Sequence, residues 1–267
     1  MNMRMLGLLA TGLCLLGTAA FAQPQSERKS AGTPAPGLIE DLVLANHILS
    51  ELGVLDGFGH VSVRHDKDPK RFLMSRSMAP ALVKSEDILE YDLDGDAIDA
   101  RGRALFLERF IHGAIYKVRP DVMAVVHSHS PAVIPFGVST VPLRAIYHMS
   151  SFLGMGVPVF EIRDVAGNGS NLLVGTPAIG DALARALADN AVVLMRGHGS
   201  VAVGGSITEV VFRAYYTEMN ARLQAEAMKL GEVKYLTPEE AAAATRTNAS
   251  VVGRAWDLWK RKAMNAR

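Results

Sequence analysis

Short apolar runs alternate with longer amphipathic stretches along this chain. Between residues 37 and 55 the apolar side chains recur at helical spacing, and Gly53 marks the end of that helix. Residues 60–64 then alternate in the way that a half-buried strand does, and 72–74 and 88–93 form two further short strands in the same pattern. The first hundred residues therefore predict one helix followed by three strands.

The remainder of the chain continues this alternation of helices and strands. Helical spacing predicts four further helices, at 106–119, 179–188, 208–231 and 237–263. In the third of these, one stripe carries the apolar residues Val211, Tyr215, Met219, Leu223 and Ala227. Apolar runs predict buried strands at 122–126 and 191–195. With neither an internal repeat nor a second compositional regime, this order favours one α/β domain with a mixed sheet.

The first 22 residues have the pattern of a secretory signal peptide. An apolar core follows an early arginine, and a small-x-small site ends at Ala22. Because the apolar run is short for a membrane span, we expect cleavage after Ala22 and a periplasmic or secreted protein that has no membrane attachment afterwards. A retained anchor is the alternative. Residues 23–36, polar and proline-bearing, predict a flexible lead into the domain.

Composition limits the chemistry available to the mature chain. Cys14 is the only cysteine and lies in the predicted signal peptide, so any metal site must use histidine, carboxylate and water. The formal net charge is +1 and the basic residues are dispersed, which argues against nucleic acid or a membrane surface as a partner. About 245 residues remain after cleavage, enough for one large domain.

Two histidines follow the apolar run at 122–126. One residue separates His127 from His129, so on an extended strand their side chains project from the same face. Ser130-Pro131 then ends the strand, because proline cannot donate to a central ladder. This geometry suits two imidazoles that hold one metal ion. Two polar residues at a strand-to-loop junction are the alternative interpretation of this motif taken alone.

Two more candidate ligands lie far away in the sequence. His198 follows the predicted strand at 191–195, between Gly197 and Gly199, which permit a tight turn and the close approach of a ligand. Glu108 follows a short apolar run, and we expect it within a helix. Three imidazoles and one carboxylate form a donor set that suits zinc or manganese.

The order of these motifs resembles the class II aldolase/adducin family. The residues that carry the resemblance are, in order, Glu108, His112, Tyr116, Arg119-Pro120-Asp121, His127-Ser128-His129-Ser130-Pro131 and Arg196-Gly197-His198-Gly199. The resemblance covers residues 39–230. The ordered set is specific, although no single motif is.

The resemblance implies a three-layer α/β/α domain over residues 37–267 with a central mixed, largely antiparallel sheet. It implies that His127, His129 and His198 bind one divalent metal ion per subunit, with zinc expected ahead of manganese. Glu108 is then the catalytic proton-transfer group, and a further ligand when substrate is absent. The resemblance also implies a homo-oligomer, a tetramer in the family, with active sites between subunits that take a small-molecule substrate.

Two loops depart from the pattern of the family's sugar-phosphate aldolases, which hold the phosphate with Gly-Asn-x-Ser and Thr-x-Ser-Gly-like loops. The first is here Gly59-His60-Val61-Ser62, and the second becomes Ser75-Arg76-Ser77-Met78. We expect four of these residues to bind substrate: His60, Ser75, Arg76 and Ser77. A guanidinium suits bidentate binding of a planar carboxylate, so Arg76 favours a carboxylated substrate over a sugar phosphate. A surface ion pair is the alternative for Arg76.

A third departure concerns a tyrosine that acts as a proton donor at a neighbouring subunit's site in the family's aldolases. His148 aligns with it and Tyr147 is adjacent, so both are candidate catalytic residues. Together the three variants resemble a branch that contains decarboxylases of hydroxylated aromatic or pyridine carboxylates. In that branch the loss of carbon dioxide replaces the retro-aldol step, and both reactions pass through the same stabilised carbanion.

These observations predict a divalent-metal-dependent carbon-carbon lyase, an aldehyde-lyase or a carboxy-lyase, that acts on a small hydroxy-carboxylate. The metal ion would chelate neighbouring substrate oxygens and stabilise an enediolate. Two alternatives remain: a non-catalytic adducin-like binding module, and an epimerase that uses the same metal and fold. Metal content separates the first from a lyase, and product stereochemistry separates the second.

Overall fold

The computed structural model describes residues 29–265. The predicted signal peptide and the first part of the predicted flexible lead lie outside the described residues, so both stay predictions. The described part of the lead, residues 29–35, lies beside an edge strand of the sheet. There the Ser30 hydroxyl and the Ala31 N–H donate hydrogen bonds to the Glu90 carboxylate.

Within residues 29–265 the chain forms seven strands and eight α-helices. The strands are β1 (His60–Arg64), β2 (Arg71–Ser75), β3 (Ile88–Asp92), β4 (Ala124–Ser128), β5 (Val159–Phe160), β6 (Val192–Met195) and β7 (Gly199–Gly204). The helices are α1 (Pro36–Glu51), α2 (Arg109–Val118), α3 (Ile134–Val138), α4 (Arg163–Ala166), α5 (Pro177–Leu187), α6 (Ile207–Leu230), α7 (Pro238–Ala249) and α8 (Val252–Asn265). Short 3-10 segments cover Pro80–Leu82, Ser85–Asp87 and His148–Met155. None of the helices in this part of the chain combines the length and hydrophobicity that crossing a bilayer requires.

The strands form one sheet in the order β3-β2-β1-β4-β7-β6-β5. Every neighbouring pair is antiparallel except β5 with β6, which is parallel. The prediction of a mixed, largely antiparallel sheet is therefore confirmed. The central strands β1, β4 and β7 are buried along their whole length, as strands covered on both faces are.

Alternation along the strands divides the apolar side chains between two cores. Val61, Val63 and Val126 belong to the core that also contains the buried faces of α1, α6 and α8. Val125 and Val193 belong to the core on the other face, together with the buried faces of α2 and α5. Because successive side chains point to opposite faces, one apolar run supplies both cores. This arrangement confirms the predicted three-layer α/β/α fold.

The structure adds β7, a strand that the sequence pattern does not predict. Its glycines and small residues are typical of loops rather than strands. Here glycine is needed because other backbone passes very close. A Cβ atom at Gly199 would collide with the Ser128 carbonyl oxygen, and one at Gly204 would come within 2.8 Å of the Val210 backbone nitrogen.

The prediction of a single carboxy-terminal helix over 237–263 is wrong. The chain turns between α7 and α8, where the Ser250 hydroxyl donates a hydrogen bond to the Thr247 carbonyl oxygen. This turn lets α7 pack on the last 3-10 segment while α8 places Trp256 and Trp259 against α1 and α6. One straight helix could not reach both surfaces. The two tryptophans thus pack within their own chain.

The second half of α6 turns a different face inward from the predicted stripe. Leu223, a member of that stripe, is 40% exposed, whereas Asn220 and Gln224 are fully buried. Their side-chain amides hydrogen-bond the backbone of the irregular segment 142–146, which has no strand partner. Buried backbone polar groups must be paired, and here side chains pair them. The apolar stripe therefore misidentifies the buried face.

Asn220 offers a direct test of this polar contact. Its amide donates to the Arg144 carbonyl oxygen and accepts from the Ile146 N–H and the Ser150 hydroxyl. We expect Asn220→Ala to lower the free energy of unfolding by about 2–4 kcal/mol, because it leaves buried polar groups unpaired. Urea unfolding measures this loss. The exposed Glu226→Ala change on the same helix should cost within about 0.5 kcal/mol, and equal midpoints for the two variants would contradict the assignment.

Candidate metal centre

Strand pairing brings the three predicted histidine ligands to the same end of the central strands. In the β1–β4 pair His60 lies opposite His127, and in the β4–β7 pair Ser128 lies opposite Ser200. His129 directly follows β4, while His198 directly precedes β7 in the tight turn from β6. The antiparallel pairing of β4 with β7 therefore places His129 and His198 side by side. Residues about 70 positions apart in sequence become neighbours through this pairing alone.

Four ligand atoms from distant parts of the chain lie within 4.8 Å of one another, one each from Glu108, His127, His129 and His198. The Nε2 atoms of His129 and His198 are 3.1 Å apart. Glu108 Oε2 is 3.4 Å from the Nε2 atoms of both His127 and His198. The structure thus brings together all four residues that the sequence analysis assigns to the metal.

Each of the three histidines is held through its other ring nitrogen. The Nδ1 atoms of His127 and His198 are bonded to the backbone carbonyl oxygens of Ser200 and Leu172. Nδ1 of His129 is bonded to the Asp56 carboxylate, at 3.2 Å. All three partners are acceptors, so each Nδ1 carries a proton, and in the neutral ring each Nε2 keeps its lone pair.

Asp56 is a residue that the sequence analysis does not single out. Its Oδ1 accepts from the Phe58 and Gly59 backbone N–H groups, which leaves Oδ2 for His129. Aspartate commonly bonds backbone N–H groups in this way in turns. The available signal is therefore local: an aspartate directly before a Gly-Phe-Gly turn that leads into β1.

The free nitrogens fit a divalent cation. Nε2 of His127 is fully buried and has no hydrogen-bond partner among the described residues. A buried polar atom without a partner is costly and calls for an explanation such as a ligand or an ion. Nε2 of His129 and His198 also present two lone pairs to each other at 3.1 Å. A cation between them, with the Glu108 carboxylate nearby, removes both costs.

Glu108 lies one residue before α2 rather than inside a helix as predicted. The helix begins at Arg109, and Phe106, which precedes it, packs against the His60 ring with the ring centroids 4.5 Å apart. Outside the helix, the Glu108 side chain points toward the histidines at the ends of the central strands. Its Oε1 accepts from the Val174 N–H at 3.0 Å, and Oε2 faces the histidines.

The electrostatics of the cluster favour an ionised Glu108. Burial by itself raises the pKa of this carboxyl, but His127 and His198 outweigh burial and hold the pKa well below its usual range. In turn, burial lowers the pKa of His198 while the Glu108 carboxylate raises it, with a net rise. Glu108 is therefore held as a carboxylate, the form that can bind a cation together with the three imidazoles.

A buried carboxylate on α6 anchors the loop after His129. Glu218 is 2% exposed, and its Oε2 accepts from the Ser130 hydroxyl and from the Ala132 N–H, at 2.9 and 3.0 Å. This contact holds the Ser130-Pro131 turn against the helix. The position of His129 is thus determined from both sides, by β4 and by α6.

A cavity of about 350 Å³ opens beside the cluster. Its polar lining residues are His60, Ser77, Glu108 and His129. Its apolar lining residues are Phe58, Met78, Ala79, Phe106, Leu107 and Leu173. Phe58 is 72% exposed, so its ring is available to a ligand. No arginine or lysine is among the described residues that line this cavity.

The structure separates the four predicted substrate-binding residues. His60 and Ser77 line the cavity, whereas Ser75 and Arg76 lie outside it. Ser75 is buried at the end of β2. Arg76 Nε donates to Asp87 Oδ1 at 2.7 Å, the ion pair that is the alternative interpretation of this arginine. Within this chain the guanidinium is directed to Asp87 rather than to the cavity.

The two candidate proton donors lie in another part of the chain. Tyr147 and His148 are at the start of the last 3-10 segment, where the Tyr147 ring contacts Tyr216 of α6 and the His148 carbonyl oxygen accepts from Asn248. Burial raises the pKa of the Tyr147 phenol. Within this chain these residues contact α6 and α7 and do not join the histidine cluster.

Comparison with known proteins agrees with this geometry. The family model described as Class II Aldolase and Adducin N-terminal domain matches residues 40–225. Decarboxylase tropJ of Talaromyces stipitatus is 38% identical over 253 residues, which is 86% of this chain and 95% of that protein. A 3,4-dihydroxyphthalate decarboxylase of Arthrobacter keyseri is 29% identical over 210 residues, which is 73% of this chain and 80% of that protein.

A solved structure shares the fold. The L-fuculose 1-phosphate aldolase from Glaciozyma antarctica PI12 superimposes with a TM-score of 0.72 over 88% of this chain and 95% of its own, at 22% identity. The match of the family model, the similarity to these relatives and the shared fold lead to one conclusion. The chain belongs to the class II aldolase and adducin family.

Proposed function

We propose that this protein is a divalent-metal-dependent lyase that removes carbon dioxide from a small hydroxylated carboxylate, with zinc as the expected ion and manganese as the alternative. The observation that carries the proposal is the convergence of three histidine Nε2 atoms, each with its Nδ1 bonded to an acceptor, beside the buried Glu108 carboxylate. A non-catalytic binding module has no need of such a donor set.

The residues of the chain divide the work between them. His127, His129 and His198 would hold the ion, which as a Lewis acid would draw electron density from the bond that breaks. When the carbon-carboxylate bond breaks, its electron pair stays on carbon and carbon dioxide leaves. Glu108, fixed through Oε1 to Val174 and held as a carboxylate, would take the proton of the substrate hydroxyl on Oε2 and then pass that proton to the carbon. His60 and Ser77 would bind the substrate, since both line the cavity.

The cavity favours an aromatic substrate over a sugar phosphate. Phe58, Phe106 and Leu107 supply apolar walls beside the cluster, which suit the faces of a planar ring. The two loops that hold the phosphate in the family's sugar-phosphate aldolases are both altered here, the first by His60 and the second by Arg76. The names of two relatives, both decarboxylases and one of a dihydroxyphthalate, support the same choice.

The proposal also includes the assembly of subunits and a second proton-transfer residue. We propose a homo-oligomer, with Tyr147 or His148 contributing at a neighbouring subunit's site. Both lie at the start of the last 3-10 segment, where Tyr147 is half-buried and His148 is exposed.

Asp56 provides a test of how the metal ligands are held. We expect Asp56→Ala to weaken zinc binding by about 10- to 100-fold, because His129 loses the acceptor that fixes its tautomer and orientation. Competition against a zinc-chelating dye measures the affinity. Asp66→Ala is the control, since Asp66 also accepts from a backbone N–H but lies outside the cluster. Equal zinc affinities of the two variants would show that Asp56 does not support a ligand.

A substrate panel tests the reaction. We expect the zinc-loaded protein to release carbon dioxide from an aromatic acid with a hydroxyl group beside the carboxylate, such as 3,4-dihydroxyphthalate, and a chelator to abolish the release. Glu108→Gln should lower kcat by at least about 100-fold, because it removes the proton-transfer group. Carbon dioxide release and product formation are measured together.

Glu86→Gln is the control for this substitution, since Glu86 is exposed and lies away from the cavity. It should leave kcat unchanged. Two results would contradict the proposal: full activity in the presence of a chelator, or cleavage of a sugar phosphate to an aldehyde with no carbon dioxide released from any acid of the panel.

A further inference from the structure

A buried chain of hydrogen bonds runs from α2 and β1 to the cavity. His112 and Tyr116 lie four residues apart on α2, and His60 and Ser62 lie two apart on β1, so each pair shares a face. Nδ1 of His60 is 2.7 Å from Nε2 of His112, whose Nδ1 is 2.6 Å from the Ser62 hydroxyl. The Ser62 hydroxyl is 2.8 Å from the Tyr116 hydroxyl. All four residues are at most 2% exposed.

The positions of the protons follow from the far end of this chain. Among the described residues, the Tyr116 hydroxyl has Ser62 as its hydrogen-bond partner, so its proton goes to the Ser62 oxygen. Ser62 then donates its own proton to Nδ1 of His112. A neutral imidazole carries one proton, so His112 has it on Nε2 and donates it to Nδ1 of His60. His60 therefore carries its proton on Nε2.

The opposite direction is unfavourable. If His60 donated from Nδ1, His112 would donate to Ser62, and the proton of either the Ser62 or the Tyr116 hydroxyl would point at no acceptor in a buried site. A doubly protonated His112 would also change the count, but burial lowers the pKa of this ring to about 3. Only one direction gives an acceptor to the protons of Tyr116, Ser62 and His112, and it leaves the Nε2–H of His60 for a ligand.

We infer that Tyr116, Ser62 and His112 hold His60 as the Nε2–H tautomer, which makes His60 a neutral hydrogen-bond donor at the wall of the cavity. Tyr116, Ser62 and His112 are positioning residues that act through His60. The His60 ring lines the cavity with Glu108 and His129. Its Nε2 lies on the opposite edge of the ring from the bond to His112.

The same rule distinguishes His60 from the metal ligands. The rings of His60 and His127 are neighbours, with centroids 5.1 Å apart. In the ligand histidines Nδ1 donates to an acceptor, so Nε2 keeps its lone pair. In His60 Nδ1 accepts from the N–H of His112, so the proton of the ring is on Nε2 and no lone pair remains there. His60 therefore cannot serve as a fourth imidazole ligand through Nε2. The hydrogen-bond partner at Nδ1 therefore determines whether a ring can bind a metal ion or donate a hydrogen bond through Nε2.

The consequence for substrate rests on the proposed function. In a decarboxylation, negative charge that develops on the substrate is stabilised by donors that are already oriented. A neutral Nε2–H that cannot reorient would donate to a substrate oxygen, either a carboxylate or a ring hydroxyl. His60 stands in the first of the two loops that hold the phosphate in the family's aldolases, so a neutral imidazole N–H takes the place of an amide in that loop.

Ring-nitrogen NMR of the zinc-loaded protein labelled with 15N-histidine tests the tautomer. The His60 signals, identified by their loss in His60→Asn, should show a protonated Nε2 and an unprotonated Nδ1. His127, His129 and His198 should show the reverse protonation at Nδ1. A His60 ring with its proton on Nδ1 would overturn the inference.

Tyr116→Phe tests the origin of the tautomer. Without the tyrosine proton, Ser62 is free to donate or to accept, so the His60 signals should shift toward values averaged over both tautomers. Tyr91→Phe is the matched control, because Tyr91 is equally buried in the same core and its hydroxyl has no partner among the described residues. Unchanged His60 signals in Tyr116→Phe, or an equal shift in Tyr91→Phe, would contradict the chain.

Activity and zinc affinity separate this inference from the proposed function. His60→Ala should lower kcat/KM by roughly 10- to 100-fold, the loss of a hydrogen bond to a charged oxygen, while His60→Asn, which keeps an N–H donor, recovers part of it. Both should bind zinc as the wild type does, and weakened binding would identify His60 as a ligand. If the tautomer is found but no acid is decarboxylated, only the proposed function fails.

Discussion

The hydrogen bonds at Nδ1 of three histidines determine what this site can do. The Nδ1–H groups of His198, His127 and His129 donate hydrogen bonds to two backbone carbonyl oxygens and to the Asp56 carboxylate. Each imidazole is thereby left with its lone pair on Nε2, where the three rings converge around Glu108. Without those acceptors the rings would be free to rotate or to change tautomer, and no common binding point would exist.

The fold supplies this arrangement through sheet register and a few side-chain anchors. The antiparallel β4–β7 pair places His129 next to His198, and the glycine at 199 allows the strands to approach at that point. The loop after His129 is held by Glu218 of α6. The same helix uses Asn220 and Gln224 to pair the backbone of the irregular segment that follows. A long polar face is therefore buried so that an irregular connection can be ordered.

Much of this could be predicted from the sequence, and the exceptions have physical causes. The ligands were recognisable because each lies at the end of an apolar run, where a polar side chain is conspicuous. Strand β7 could not be predicted, because its glycines, which close backbone contacts require, are typical of loop sequences. Arg76 forms an ion pair with Asp87, eleven residues away, and the hydrophobic periodicity of the sequence does not predict such a pair. The tautomer of His60 depends on α2, and only the packed structure joins the two.

We propose that three imidazoles and one carboxylate of a single chain hold one divalent ion. X-ray absorption spectroscopy of the zinc-loaded protein, with the metal content measured on the same sample, tests it most directly. The account predicts one zinc ion per chain with three imidazole nitrogens in its first coordination sphere. A chain that retains no zinc after dialysis, or zinc bound by fewer than three imidazoles, would contradict it.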